Sequence, residues 1–132
     1  MARAKESEVI YIDTHVACWL YEGRLDLLSR DAVAALDRGH LFASPIVDLE
    51  LKLLHEMGRI AKGLEVVLHA LAQEINLELG AEKFSRIVGA ARELNWTRDP
   101  FDRLIVAEAM LAEAGLVTKD RLIRKHFAAA IW

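Results

Sequence analysis

The chain has 132 residues, 54% of them hydrophobic and 28% charged, and carries a formal net charge of −3. That length allows one well-buried core and is too short for two ordinary domains. The negative balance excludes a protein that coats nucleic acid by charge alone, and no run approaches the roughly 20 uninterrupted apolar residues that a membrane span needs.

Met1 to Glu8 carries charges but no apolar stretch, so it reads as neither a secretory signal nor an anchor. Residues 1–7 are expected to be a flexible extension, and a cytoplasmic location is expected. Val9 to Ile12 predicts the first strand, Thr14 to Tyr21 a helix, and Asp31 to Arg38 another. The lone cysteine, Cys18, excludes an internal disulfide and any Cys-based zinc cluster. Between Ala17 and Trp19 it reads as a small buried hydrophobe rather than a reactive thiol.

Leu41 to Ala43 is a short second strand. Ser44 as N-cap and Pro45 at the first helical position then open a helix that runs to about Met57, ahead of Gly58. Leu64 to Ala72 reads as helix, Glu74 to Leu79 as a third strand, and Ala81 to Glu93 as helix. Asp99 caps a helix from Pro100 to about Ala114, with Gly115 as its stop. Leu116 to Thr118 is a fourth strand, Arg121 to His126 a last helix, and Ala129 to Trp132 an edge strand. This alternation predicts an α/β fold over residues 1–132 as a single domain, with a mostly parallel sheet covered by helices on both faces.

Four acids stand where an unpaired charge is costly. Asp13 ends the first strand and Asp120 follows the fourth, which places both just past the carboxyl ends of parallel strands, where α/β sheets bind ligands. Within the third helix, Asp48, Lys52, His55, Glu56 and Arg59 define one polar face. Glu50 lies about 200° from Asp48 at about 100° per residue, on the side of Ile46, Leu53, Leu54 and Met57. An ionised carboxylate there costs several kcal/mol unless compensated, and a metal or a buried arginine pairing would each serve. Asp99 is explained as an N-cap. Asp102, with Ile105, Val106 and Ala109 on its side of the helix, fits a helix-dipole role and a functional one equally.

His15 reads as a packed or capping histidine in the first turn of an apolar helix rather than a general base. Trp19, Trp96 and Trp132 read as core or interface packing rather than base-stacking platforms. Lys119, Arg121, Arg124, Lys125 and His126 surround Asp120. They could guide a phosphate backbone, or could be a solvated helix face.

Ile12-Asp13-Thr14-His15-Val16, Ser44 to Leu51, Asp99-Pro100-Phe101-Asp102-Arg103-Leu104-Ile105 and Leu116-Val117-Thr118-Lys119-Asp120 resemble, in order, the successive motifs of PIN-domain proteins, especially the VapC ribonuclease toxins. The likeness extends to the closing Ile131-Trp132. It departs at Asp48, where an apolar or small residue is commoner, and in the longer start before Val9. The resemblance implies a three-layer α/β/α PIN-like domain whose acidic site comprises Asp13, Glu50, Asp102 and Asp120, supported by Thr14, Arg103 and Thr118. It implies Mg²⁺ or Mn²⁺ as cofactor, RNA as substrate, a VapB-like antitoxin as partner and a homodimer. Asp13 and Asp102 are expected as direct ligands, and Glu50 and Asp120 as direct or water-mediated ones. Arg103 would stabilise phosphate charge or pair with a neighbouring acid. A haloacid-dehalogenase-like phosphatase and a non-catalytic PIN-like binding module are the alternatives. The phosphatase would want an aspartate two residues after Asp13, where His15 stands.

Overall fold

The structure is a computed structural model that describes residues 8–132. The expected N-terminal extension, residues 1–7, lies outside the described residues. The elements run β1 (Val9–Ile12), α1 (Thr14–Tyr21), α2 (Arg30–Arg38), β2 (His40–Ala43), α3 (Ile46–Glu56), α4 (Val67–Ile75), β3 (Glu78–Leu79), α5 (Phe84–Ala91), α6 (Pro100–Leu111), β4 (Gly115–Val117), α7 (Arg121–His126) and β5 (Ala130–Ile131). Short 3-10 turns at Leu25–Leu27 and Leu64–Val66 complete the list.

The five strands form one sheet in the order β3-β2-β1-β4-β5, and every pairing is parallel. Ile10, Tyr11 and Ile12 are buried in succession rather than alternately, as expected of a central parallel strand covered on both faces. The chain builds outward from β1 through β2 to β3, then returns to lay β4 against the other side of β1. The order therefore reverses between β1 and β4, and a crevice opens beyond their carboxyl ends. There the Asp13 amide donates to the Val117 carbonyl at 3.0 Å, which fixes Asp13 beside Thr118.

Helix starts follow local chemistry. Ser29 caps α2 by accepting from the Ala32 amide at 3.1 Å, and Ser44 accepts from the Ile46 amide at 3.3 Å ahead of α3. Asp99 accepts from the Phe101 and Asp102 amides at 2.8 and 3.3 Å with Pro100 opening α6.

Several sequence expectations shift. The third strand, expected from Glu74, begins only at Glu78 because α4 continues to Ile75 and ends on Asn76, which adopts a left-handed conformation at φ 57°. The helix expected over Ala81 to Glu93 begins at Phe84, since Lys83 is still extended at ψ 124°. Gly115 is not the stop of α6. That helix ends at Leu111, Glu113 turns the chain at φ 52°, and Gly115 opens β4. A Cβ on Gly115 would lie 2.7 Å from Ile131 Cδ1, so glycine serves the close approach of β5. In α3 the inward residues are Val47 and Leu51, whereas Leu49, Leu53 and Met57 are exposed. The apolar side expected for Glu50 is therefore partly an open stripe.

No helix among the described residues is long and apolar enough to cross a membrane. Cys18 is buried and its thiol is pushed up to about 11, first by burial, as its reading as an inert hydrophobe requires.

Candidate active site

A pocket of about 400 Å³ opens at the crevice between β1 and β4, lined by Asp13, Glu50, Asp99, Asp102 and Asp120, with His15, Val16, Trp19 and Lys119 completing its wall. The four acids read from the sequence thus share one pocket, and Asp99 joins them while still capping α6. Each arrives from a different element. Asp13 caps α1, Glu50 projects from the middle of α3, Asp102 from the first turn of α6, and Asp120 caps α7 by accepting from the Ile123 amide at 2.9 Å.

Two buried threonines hold these side chains. Thr118 Oγ1 donates to Asp13 Oδ2 at 2.6 Å, while the Thr14 amide donates to Asp13 Oδ1 at 2.8 Å. The Thr14 hydroxyl donates to Glu50 Oε1 in a short hydrogen bond. The Asp120 amide in turn donates to Thr118 Oγ1 at 3.1 Å. The Thr118 hydroxyl therefore links the Asp120 backbone amide to the Asp13 carboxylate.

The electrostatics are those of a site in which acids outnumber bases, five carboxyls against Lys119 and His15. Burial raises the Asp13 carboxyl, against the bonds from Thr118 and Thr14. Glu50 is pushed up to about 7 by burial, with the charges of Asp13 and Asp99 adding to it. Asp102 is pushed up to about 8 by burial and then by Asp99, Asp13, Asp120 and Glu50 together. Carboxyls that raise one another in this way favour a bound cation, which would restore their ionised forms with proton release.

An all-oxygen donor set suits a hard divalent ion such as Mg²⁺ or Mn²⁺. Among the described residues no three acidic, histidine or cysteine side chains already encircle one ion position. The carboxylates instead ring the pocket, an arrangement that suits Mg²⁺, which keeps several waters and takes one or two protein carboxylates directly.

Arg103 is seen in a backbone contact instead of an acid pairing. Its Nε donates to the Thr97 carbonyl at 2.8 Å, fastening the loop ahead of α6, and it neither lines the pocket nor pairs with an acid. His15 is exposed on the pocket wall rather than packed. Trp19, expected only to pack, also lines the pocket. Of the basic cluster, Lys119 reaches the pocket, while Arg124, Lys125 and His126 lie in the exposed last turn of α7.

The sequence reading missed Glu108. It is 0% exposed inside α6 and lines a separate cavity with Ser44 and Glu82. Its carboxyl is raised by burial, the hydroxyls of Tyr11 and Ser44 are its polar neighbours, and neither carboxylate oxygen has a well-formed hydrogen bond. A Cβ on Gly80 would overlap both Glu108 Oε2 and the Tyr11 hydroxyl, so only glycine lets the end of β3 close over them. The signal was available, since Glu108 interrupts the apolar run Ile105-Val106-Ala107 before Ala109.

The profile of the PIN domain matches residues 10–126. Ribonuclease VapC22 of Mycobacterium tuberculosis (strain ATCC 25618 / H37Rv) is 32% identical over 121 residues, covering 89% of this chain and 91% of that relative. Among solved structures, the crystal structure of VapBC2 from Rickettsia felis bound to a DNA fragment from their promoter aligns with a TM-score of 0.57 at 18% identity, covering 89% of this chain and 92% of that one. The last likeness is one of fold.

Proposed function

This chain belongs to the PIN-domain family as a VapC-type member, and on that premise we propose that it is a metal-dependent endoribonuclease, the toxin of a type II toxin–antitoxin pair, acting in the cytoplasm as a single PIN-like domain. The observation that carries the reading is the gathering of Asp13, Glu50, Asp99, Asp102 and Asp120 around one pocket at the point where the strand order reverses. The 32% identity to a protein named a ribonuclease supports the substrate class.

Asp13 and Asp102 would hold Mg²⁺ or Mn²⁺ directly, with Glu50 and Asp120 bound directly or through water. The ion would supply charge neutralisation at the scissile phosphate and an acidified water for hydrolysis. Thr118 and Thr14 orient Asp13 and Glu50 by the bonds described above and hold both on the pocket wall. Lys119, the cation on the pocket wall, attracts the phosphate backbone toward acids that would otherwise repel it.

A free ribonuclease has to be restrained, and VapC-type membership implies a VapB-like antitoxin. A groove of about 540 Å³ with Leu20, Leu25, Val33, Leu36 and Ile75 in its walls offers an apolar seat for its tail. A tail arginine or lysine is expected to reach the acidic pocket. The exposed stripe Leu49, Leu53 and Met57 on α3 supports a homodimer.

The test is hydrolysis by purified protein of RNA and of an aryl phosphate, with Mn²⁺, with Mg²⁺ and in excess EDTA after dialysis. RNA cleavage that requires metal is expected. Full activity in EDTA sinks the metal mechanism, aryl-phosphate hydrolysis alone favours a phosphatase, and inactivity on both favours a binding module.

A further inference from the structure

A pocket walled by five carboxylates has little affinity of its own for a polyanion, so an RNA strand has to be held beside it by other groups. One side of the wall supplies them. Trp19, half-buried in α1, faces the pocket together with the exposed His15 and Lys119. Its indole is braced by tilted contacts with Trp132 and His15, each with ring centroids 6.1 Å apart, at 55° and 45°. Tilted neighbours fix the ring without stacking flat on it. The Lys119 ammonium stands 6.0 Å from the ring centroid, a cation–π contact on a long, flexible side chain that can move. Trp19 is therefore an indole held in place beside the acids, with an exposed lysine cation on its face.

We propose that Trp19 is the stacking platform for an unpaired nucleobase next to the scissile phosphate, and that Lys119 leaves the indole for a phosphate oxygen as the base takes its place. The inference rests on the ribonuclease reading and deepens it by naming the residue that positions a base beside the cut. Stacking is tolerant of base identity because every base has a π-face, and a flipped base is available only in single strands, loops and bulges. Trp19 positions substrate and takes no part in bond breaking. Its loss should therefore act through KM far more than through kcat.

The experiment takes the oligonucleotide cut fastest from a randomised single-stranded RNA library and replaces the nucleotides on either side of the cut, one at a time, with an abasic residue. With wild-type protein and Mn²⁺, one of the two replacements should raise KM about ten-fold or more, with kcat changed less than about three-fold, in line with the usual worth of one base on one aromatic ring. Trp19→Ala should raise KM similarly on intact RNA and show no further loss on the abasic strand, while Trp19→Phe keeps most of the affinity. Because Trp19 also braces Trp132, Trp19→Ala could fold poorly. The abasic series on wild-type protein and the Trp19→Phe variant then decide. KM unmoved by both abasic positions overturns the platform, as do Trp19→Ala and abasic effects that multiply. A wild-type protein that cuts no RNA overturns the ribonuclease reading instead, and the platform with it.

Discussion

Thr118 donates a 2.6 Å hydrogen bond to Asp13 across 105 positions of sequence, joining the ends of the two strands between which the sheet order reverses. The bond holds the Asp13 carboxyl down against the burial that raises it, so it tunes how readily this acid would release its proton to solvent and leave a carboxylate free for a metal. Thr118→Val should weaken Mn²⁺ binding by about 10–100-fold, the usual effect of losing a partner behind a ligand, and move the pH–rate profile upward. Titration calorimetry and pH–rate curves read both. An unchanged profile would leave Thr118 as mere packing.

Removing the acids separates mechanism from architecture. Asp13→Asn or Asp102→Asn should abolish RNA cleavage while leaving thermal stability unchanged or raised, because each relieves a crowded, buried cluster of negative charge. Cleavage retained at wild-type rate would remove that residue from the reaction. A collapsed melting transition would make its role structural.

The raised carboxyls set a pH dependence of definite sign. Glu50 titrates at about 7 against an ordinary 4.5, and Asp102 at about 8 against 3.8. The folded protein thus binds more protons than the unfolded chain between those values. This contribution to stability is fully present below the unfolded pKa values and is lost as pH rises through about 4 to about 8. In EDTA the melting temperature should fall across that window, and Asp102→Asn should flatten the fall. Millimolar Mn²⁺ should reverse it by binding the folded state, by about 2.7 kcal/mol at 100 times Kd. A metal-free melting temperature that rises over the same window would contradict the assigned burial of both groups.

Much of this architecture was legible because its signals are local. Asp99-Pro100, Ser44-Pro45 and the β-rich run Val9 to Ile12 each announce an element within a few residues. The misread parts depend on distant contacts. Gly115 looks like a helix stop until Ile131 is seen pressing on it, and β3 is short because α4 runs on to Ile75 and turns only at Asn76, which leaves Glu78 and Leu79 to pair with Phe42 and Ala43. For the site, the places of single acids at strand ends and on helix faces raised the question and the ordered motifs of the family resemblance joined them into a set, whereas the place of Arg103 turned on the Thr97 carbonyl and that of Trp19 on the pocket wall, which no periodicity encodes.

Glu108 yields a prediction of the opposite kind, since it lies outside the acidic pocket. Its carboxyl is buried, raised and without a well-formed hydrogen bond, so ionising it in the fold is unfavourable. Glu108→Gln should stabilise the protein at about pH 8 by about 1–2 kcal/mol, the worth of a buried unsatisfied group, and give little at about pH 4, where the acid is neutral in both states. Denaturant unfolding at the two pH values measures the difference. A variant less stable at the higher pH would show that the ionised carboxylate has a partner in solution.

The restraint of the enzyme supplies the last prediction. An acidic pocket that raises its own carboxyls is blocked most effectively by a cation, and the groove along Leu20, Val33 and Ile75, toward the end of α1 away from Asp13, offers an apolar seat. If the proposed antitoxin exists, it should therefore copurify with this chain, restore growth on coexpression and inhibit cleavage. Replacing the tail arginine or lysine proposed to enter the pocket with glutamine should cost inhibition more than binding, because the apolar seat persists. Leu36→Asp in the groove should do the reverse and weaken binding first, as a charge there has no partner. If neither that protein nor any other small partner copurifies or inhibits, the toxin assignment fails, while metal-dependent RNA cleavage by the isolated chain would still stand.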